Sequence, residues 1–366
     1  MKKIRIFAFG GNEVSPTGLK DEKGNEIQAS VPLQFQQTAR TCRQIAKIIQ
    51  RNPKDKYLLT HGNGPQVGSI LLRSEIASSV IYQIQLDLCV ADTQGGMGFM
   101  ISQMQHNALQ ELGIYRAIST IITRVEVAQD DPAFKNPTKF IGSAYTKEQV
   151  AEREKEGWIM KYYKKDSQGN EIWRRVVPSP KPIDIVDFDA IIACMKNDII
   201  PITVGGGGIP VYKVKIEDLS DKKIAKSRFD IQFEFAKNIE KPVIYSGVDA
   251  VIDKDLASSL LGRKIIKYNE ENKKRAEVSL TIFTGEDGIK LNYQQPNEKS
   301  IRKIKVSELK KLKEEYPDQF PAGSMGPKVD AVIDFVSNGG HIAYITKTDL
   351  FDETLKGNAG TTIIPD

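Results

Sequence analysis

Tyr57-Leu58-Leu59-Thr60-His61-Gly62-Asn63-Gly64-Pro65-Gln66-Val67-Gly68 decides how the rest of the chain is read. A short apolar run enters a turn with glycines at 62, 64 and 68, and a segment with helical spacing leaves it. Glycines there let the backbone approach a ligand closely and point its N–H groups inward. A strand, a glycine turn and a helix N-terminus in that order make a site for an anion. The same order also describes an ordinary strand-to-helix turn. Repetition separates the two readings, because the chain uses the device again.

Upstream, residues 3–9 pattern as a buried strand and run into Gly10-Gly11-Asn12. Downstream, Ile199–Val204 predicts a strand that ends in Gly205-Gly206-Gly207-Gly208. Between them, Phe35, Ala39, Cys42, Ala46 and Ile49 fall on one face of a helix. Leu86 to Leu112 holds Thr93-Gln94-Gly95-Gly96-Met97-Gly98 and an apolar helix, and Ala117–Thr123 is a β-branched strand. Strands alternating with helices predict an α/β fold with a mainly parallel open sheet covered on both faces. In such sheets ligands bind outside the carboxyl ends of the strands, where all three glycine clusters fall.

The 366 residues read as one domain with excursions. Residues 126–181 are punctuated by Pro132, Pro137, Pro178 and Pro180 and carry Tyr145, Trp158, Tyr162, Tyr163 and Trp173. They predict a small protruding subdomain with a modest aromatic core. Residues 213–241 read as a charged insertion with one helix near Phe229–Ala236, and 264–277 as a second. The strand Val278–Phe283 then leads to Thr284-Gly285-Glu286-Asp287. The helix Val329–Val336 and the strands His341–Thr346 and Thr361–Ile364 close the pattern.

Lys and Arg total 52 against 47 Asp and Glu, a net charge of +5. So small an excess argues against a nucleic-acid partner; a local basic pocket would serve a phosphate. The first apolar run is interrupted by Arg5 and stopped by Gly10-Gly11, too short for a signal segment, and no other run is read as spanning a membrane. Cys42, Cys89 and Cys194 are widely spaced and read as buried free thiols in a reducing compartment. A cytoplasmic enzyme is expected.

Two common phosphate signatures are missing: there is no G-x-x-x-x-G-K-[ST], and Gly62-x-Gly64-x-x-x-Gly68 has the wrong spacing for a dinucleotide fingerprint. The protein-kinase set is missing too. Phosphoryl transfer asks a protein mainly for positioning and positive charge. Lys139, Lys254 and Lys328 are the candidate cations. Lys254, between Asp253 and Asp255 after an apolar run, reads as a held, oriented ammonium group. His61 has the chemistry of an acid or base, but a structural or hydrogen-bonding role is expected. His106 and His341 read as helix and strand residues. Nothing resembles a zinc site or a Ser-His-Asp arrangement.

Seven strings, in order along nearly the whole chain, carry a family resemblance. They are Gly10-Gly11-Asn12, His61 to Gly68, Phe134-Lys135-Asn136-Pro137-Thr138-Lys139, Val176 to Pro182, Gly205 to Val211, Ala250 to Asp255, and Gly323-Ser324-Met325-Gly326-Pro327-Lys328. Together they resemble carbamate kinase, a member of the amino acid kinase family. The resemblance implies a three-layer αβα sandwich, normally a homodimer, that catalyses ATP + carbamate ⇌ ADP + carbamoyl phosphate. In fermentative arginine breakdown that family runs the reaction toward ATP.

By position, the resemblance implies that Gly10, Gly11, Asn12, Gly62, Asn63 and Gly64, with Gly206 and Gly207, cradle carbamate and the moving phosphate. Lys139 reaches over the acceptor, Lys254 and Lys328 neutralise the phosphates, and Asp255 organises both lysines. Thr284, Gly285, Asp287 and Met325, with Lys254 and Lys328, hold the nucleotide. Mg2+ accompanies ATP or ADP, held by phosphates and water rather than by protein ligands. No nucleic acid or membrane partner is implied. The chain differs from the family pattern in its longer loop 13–31, opened by Glu13-Val14, in 213–241 and 264–277, and in Glu286. Other readings are a kinase of another small carboxylate on the same fold, or a non-catalytic regulator that binds nucleotide or carbamoyl phosphate.

Overall fold

The strand Lys2–Phe9 lies inside the central sheet because both of its faces are apolar. Alternate side chains point to opposite faces of a strand. Ile4, Ile6 and Ala8 pack on one side with Leu261 and Ile265 of the helix Lys254–Glu271 and with Val332 and Phe335 of the helix Met325–Ser337. Phe7 and Phe9 pack on the other with Ile45 and Ile49 of the helix Val31–Arg51 and with Met97 and Ile101 of the helix Leu86–Gln110. Arg5 is the buried exception, and its Nε donates to Asp55 Oδ2 at 2.8 Å. The computed structural model describes residues 2–14, 30–166, 168–214, 243–321 and 324–366.

Eight strands make the central sheet, in the order Lys303–Lys305, Thr361–Ile364, Ile342–Thr346, Ala276–Phe283, Lys2–Phe9, Lys56–His61, Ile200–Ile202, Ile118–Thr120. Every pairing is parallel except that of Ile342–Thr346 with Thr361–Ile364. Helices on both faces complete three layers, the expected α/β architecture. The chain between 117 and 127 departs from one continuous strand. The Thr123 N–H turns aside to Gln94 Oε1 at 2.7 Å, and Arg124–Val127 joins a second sheet with Ile209–Val214, Ile244–Gly247 and Pro182–Ile185.

Within 126–181, an antiparallel sheet of Lys139–Thr146, Glu171–Val177 and Met160–Lys165 stands apart with the helix Lys147–Lys155. Its aromatics pair edge-on: Phe140 with Tyr163, Tyr145 with Trp158, and Tyr162 with Trp173, at centroid distances of 5.0, 5.7 and 6.2 Å. Such contacts give a small sheet a core of its own. It rests backbone to backbone on the helix Gly64–Ile76, where a Cβ on Gly68 would lie 2.1 Å from Gly142 Cα.

The charged stretch 264–277 runs through regular elements. Its first half completes the helix Lys254–Glu271 and buries Ile265, Ile266 and Asn269, and Ala276 opens the next strand. Of 213–241, Lys213 and Val214 end a strand; the rest, with the expected helix 229–236, lies outside the described residues, as do 15–29 of the loop 13–31. Cys42 and Cys89 are buried and Cys194 half-buried, all as free thiols. Among the described residues no helix is long and apolar enough to cross a membrane.

Candidate active site

Four parallel strands, Lys2–Phe9, Lys56–His61, Ile200–Ile202 and Ala276–Phe283, end on one edge of the sheet. That edge gathers the glycine clusters at 10, 62 and 205 with Thr284-Gly285. Helices start beside it at Gly64, Lys254 and Met325, so their N-terminal dipoles add positive potential. The Gln94 side chain holds the third cluster in place, its Nε2 donating to Gly205 O at 3.0 Å and Thr123 O at 3.2 Å.

A cavity of about 240 Å³ opens among Gly11, Gly62, Asn63, Gly64, Lys139, Arg174, Gly206, Asp253, Lys254, Asp255 and Lys328. Gly206 has φ 63°, and a Cβ there would lie 2.1 Å from Asn63 Nδ2, which itself donates to Thr93 Oγ1 at 2.8 Å. Gly207 does not line this cavity and packs against Ile252. Asn12 lies in the short helix Gly11–Val14.

Lysines and aspartates here are organised around the start of the helix Lys254–Glu271. Asp253 caps it, Oδ1 accepting from the Asp255 N–H at 2.8 Å, while Oδ2 accepts from Lys139 Nζ at 2.5 Å. Asp255 bonds Lys254 through one oxygen and Lys328 Nζ, at 3.1 Å, through the other. Burial pushes both aspartates up, yet Lys139, Lys254 and Lys328 hold Asp253 well below the usual carboxylate range. Lys254 and Lys328 likewise hold Asp255 down. Burial pulls Lys254 below the usual lysine range against Asp255, with Lys328 adding repulsion. Burial also acts on Lys328, but Asp255 and Asp253 raise it. The cluster is a set of fixed charges screened little by water.

His61 is buried beside this floor and is pushed down to about 4, first by burial and also by Lys254. It is neutral near pH 7, and a Cβ on Gly205 would lie 2.4 Å from its Nε2. Its place is structural.

A second cavity, of about 560 Å³, is lined by Gly10, Gly11, Thr284, Gly285, Met325 and Lys328, and at its rim by Glu286, Lys290 and Tyr293. Tyr293 OH donates to Glu286 Oε1 at 2.7 Å, and Lys290 reaches Glu286 at 3.5 Å and Glu298 at 3.0 Å. Glu13 also lines it, raised by burial and bonded by Thr348 Oγ1 at 2.9 Å. The two cavities meet at Gly11, Tyr163, Ser324 and Lys328.

Most predicted residues therefore converge, but not all as expected. Lys254 lines only the smaller cavity, whereas Lys328 borders both. Asp287, expected beside the nucleotide, turns away: Oδ1 accepts the Gly360 N–H at 2.6 Å and Oδ2 pairs with Arg302 at 2.9 Å. Asp253, Arg174 and Tyr163 are site residues that the pattern did not nominate. Asp253 was visible as the neighbour of Lys254. For Arg174 no local signal existed, since strand pairing decides which of two adjacent arginines meets the cavity. Among the described residues no three His, Cys, Asp or Glu side chains converge to hold a metal.

Known proteins resemble the chain from end to end. Carbamate kinase of Pyrococcus furiosus is 37% identical over 369 residues, covering all of both chains. Carbamate kinase of Thermoplasma volcanium is 35% identical over 360 residues, 98% of this chain and 99% of that one. Among solved structures, carbamate kinase from Giardia lamblia bound to AMP-PNP superposes with a TM-score of 0.75 at 32% identity, covering 100% of this chain and 99% of that one. No protein-family model matches.

Proposed function

The chain belongs to the carbamate kinase family of phosphotransferases with a carboxyl acceptor, and from that premise we propose that phosphoryl transfer occurs where the two cavities meet. The reaction is ATP + carbamate ⇌ ADP + carbamoyl phosphate. Similarity over the full length favours carbamate over another small carboxylate or a non-catalytic regulator. The observation that carries the placement is the convergence of Lys139, Lys254 and Lys328 on Asp253 and Asp255.

The nucleotide occupies the larger cavity with its terminal phosphate toward Lys328. Carbamate occupies the smaller one against Gly11 and Gly62–Gly64. A carbamate oxygen bonds to the γ-phosphorus while the bond to the bridging oxygen breaks, its electron pair leaving on ADP. Carbamate is already an anion, so no proton is removed and the neutral His61 has no base to supply. Lys254 and Lys328 offset the charge on the phosphoryl oxygens, each by ~4 kcal/mol at 4 Å if the effective dielectric is about 20. Asp255 holds both ammonium groups in place beforehand, which is how such groups favour a transition state. The Lys139–Asp253 bond ties the three-stranded sheet across the acceptor side.

Mg2+ fits as a companion of the nucleotide: Asp253 and Asp255 are already committed to lysines, and this hard cation keeps several waters and binds phosphate oxygens readily. When bound it neutralises charge on the β- and γ-phosphates. Free thiols support a cytoplasmic setting. The exposed apolar run Ile76, Val80, Ile81 and Tyr82 supports a homodimer, to be tested by sedimentation equilibrium.

The decisive experiment incubates the protein with ADP, Mg2+ and carbamoyl phosphate beside Lys254→Ala. ATP should form with the wild type and fall sharply with the variant. Wild-type ATP no higher than the spontaneous-decomposition blank would overturn the reading.

A further inference from the structure

Arg174 and Arg175 are neighbours on the strand Glu171–Val177 and so face opposite sides of the three-stranded sheet. Arg175 is partnered: its Nη1 lies 2.6 Å from Glu75 Oε1, and its guanidinium sits 4.5 Å from the Trp158 ring centroid. Arg174 faces the smaller cavity instead. Its Nη2 donates to Gly142 O at 2.8 Å and its guanidinium lies 5.2 Å from the Tyr163 ring centroid. Its Nε–H is buried without a hydrogen-bond partner, and no carboxylate among the described residues pairs with it.

A partly buried cation without a counter-ion is unfavourable unless an anion arrives to meet it. The walls of this cavity make the same point by charge. Lys139, Arg174, Lys254 and Lys328 face two carboxylates, Asp253 and Asp255, which leaves an excess of two positive charges. A phosphoryl group brings about −1.5 to −2 near neutral pH. The planar fork of a guanidinium suits two oxygens of such a group better than an ammonium does.

We propose that Arg174 is a further substrate-binding residue, whose guanidinium holds the oxygens of the acyl phosphate in this cavity, with Tyr163 and Gly142 O fixing its orientation. The proposal rests on the assignment of this cavity to the acceptor. It makes one sheet deliver two cations, Lys139 and Arg174, from the paired strands Lys139–Thr146 and Glu171–Val177. Arg175 keeps that sheet docked through Glu75.

The test compares Arg174→Gln, Arg174→Lys and Arg175→Gln in the full chain, reading KM for each substrate, kcat and Tm. Arg174→Gln should raise KM for carbamoyl phosphate ~10–100-fold, the loss expected for hydrogen bonds to a charged group. KM for ADP and the Tm should stay near wild type, and Arg174→Lys should recover part of the loss. Arg175→Gln should lower Tm without a selective change in KM. An unchanged KM for carbamoyl phosphate in both Arg174 variants would overturn the proposal. So would an equal rise in both KM values accompanied by a lower Tm. If the wild type makes no ATP, the cavity assignment fails separately. Thermal stabilisation by inorganic phosphate, present in the wild type, lost in Arg174→Gln and partly kept in Arg174→Lys, then supports an anion contact, and its full persistence in both overturns one.

Discussion

The two cavities that meet at Lys328 have walls of different character. In the smaller, Lys254, Asp253 and Asp255 are buried, and each charge is fixed by a partner on the same or a distant element. In the larger, Glu13 and Lys328 are shielded, but Glu286 and Lys290 are partly exposed and bond one another and Glu298 within a short stretch of chain. Burial is the difference that matters. Charges shielded from water act strongly over 4 Å, whereas exposed pairs contribute little. That contrast supports the proposed division, with the chemistry in the smaller cavity and the nucleotide in the larger.

Lys254→Ala tests that division most severely. It should lower kcat for ATP formation ~100–1,000-fold, the range for loss of a preorganised electrostatic group. Calorimetry should find ADP binding little changed, and a comparable loss of ADP affinity would erase the distinction between the cavities.

His61 tests burial itself. Its folded pKa of about 4 lies below the ordinary 6.5, so the unfolded chain binds the proton first as pH falls. Stability from neutral His61 is complete above pH 6.5 and declines between 6.5 and about 4, by about 3 kcal/mol in all. Denaturant unfolding at pH 7.5 and 4.5 should show that loss in the wild type and a smaller one in His61→Gln. Equal pH dependence in the two proteins would show that the site floor is not as dry as described.

Lys139→Ala should lower kcat ~10–100-fold and leave ADP binding alone, while Lys328→Ala, at the boundary, should raise KM for both substrates ~10-fold. Full kcat in Lys139→Ala would detach the three-stranded sheet from the acceptor side. The smallest effect belongs to the rim. Glu286→Gln should raise KM for ADP only ~2–5-fold, as exposed charges do, with KM for carbamoyl phosphate unchanged. A larger change than that of Lys328→Ala would place the energetic centre of nucleotide binding at the rim.

What could be read in advance was local. The glycine turn at 62–64, the apolar face from Phe35 to Ile49 and the Asp253-Lys254-Asp255 run each declare themselves within a few residues. In the stretch 264–277 only the surface charge was legible, and the burial of Ile265, Ile266 and Asn269 reveals the helix beneath it. Asp287 follows the right strand end, but its carboxylate bonds Gly360, 73 residues away, and pairs with Arg302, contacts that no local pattern announces.

The alternation of strands and helices, the positions of the glycine turns and the identity of the lysines were all legible in the chain, because strand period, turn conformation and helix spacing depend on near neighbours. Which charges meet depends on the folded chain. Lys139 lies 114 residues from Asp253, and Lys328 lies 73 from Asp255. Arg174 rather than Arg175 faces the cavity because of how its strand pairs and packs. The strength of those charges was settled by burial, a property of the folded chain that no stretch of residues carries alone.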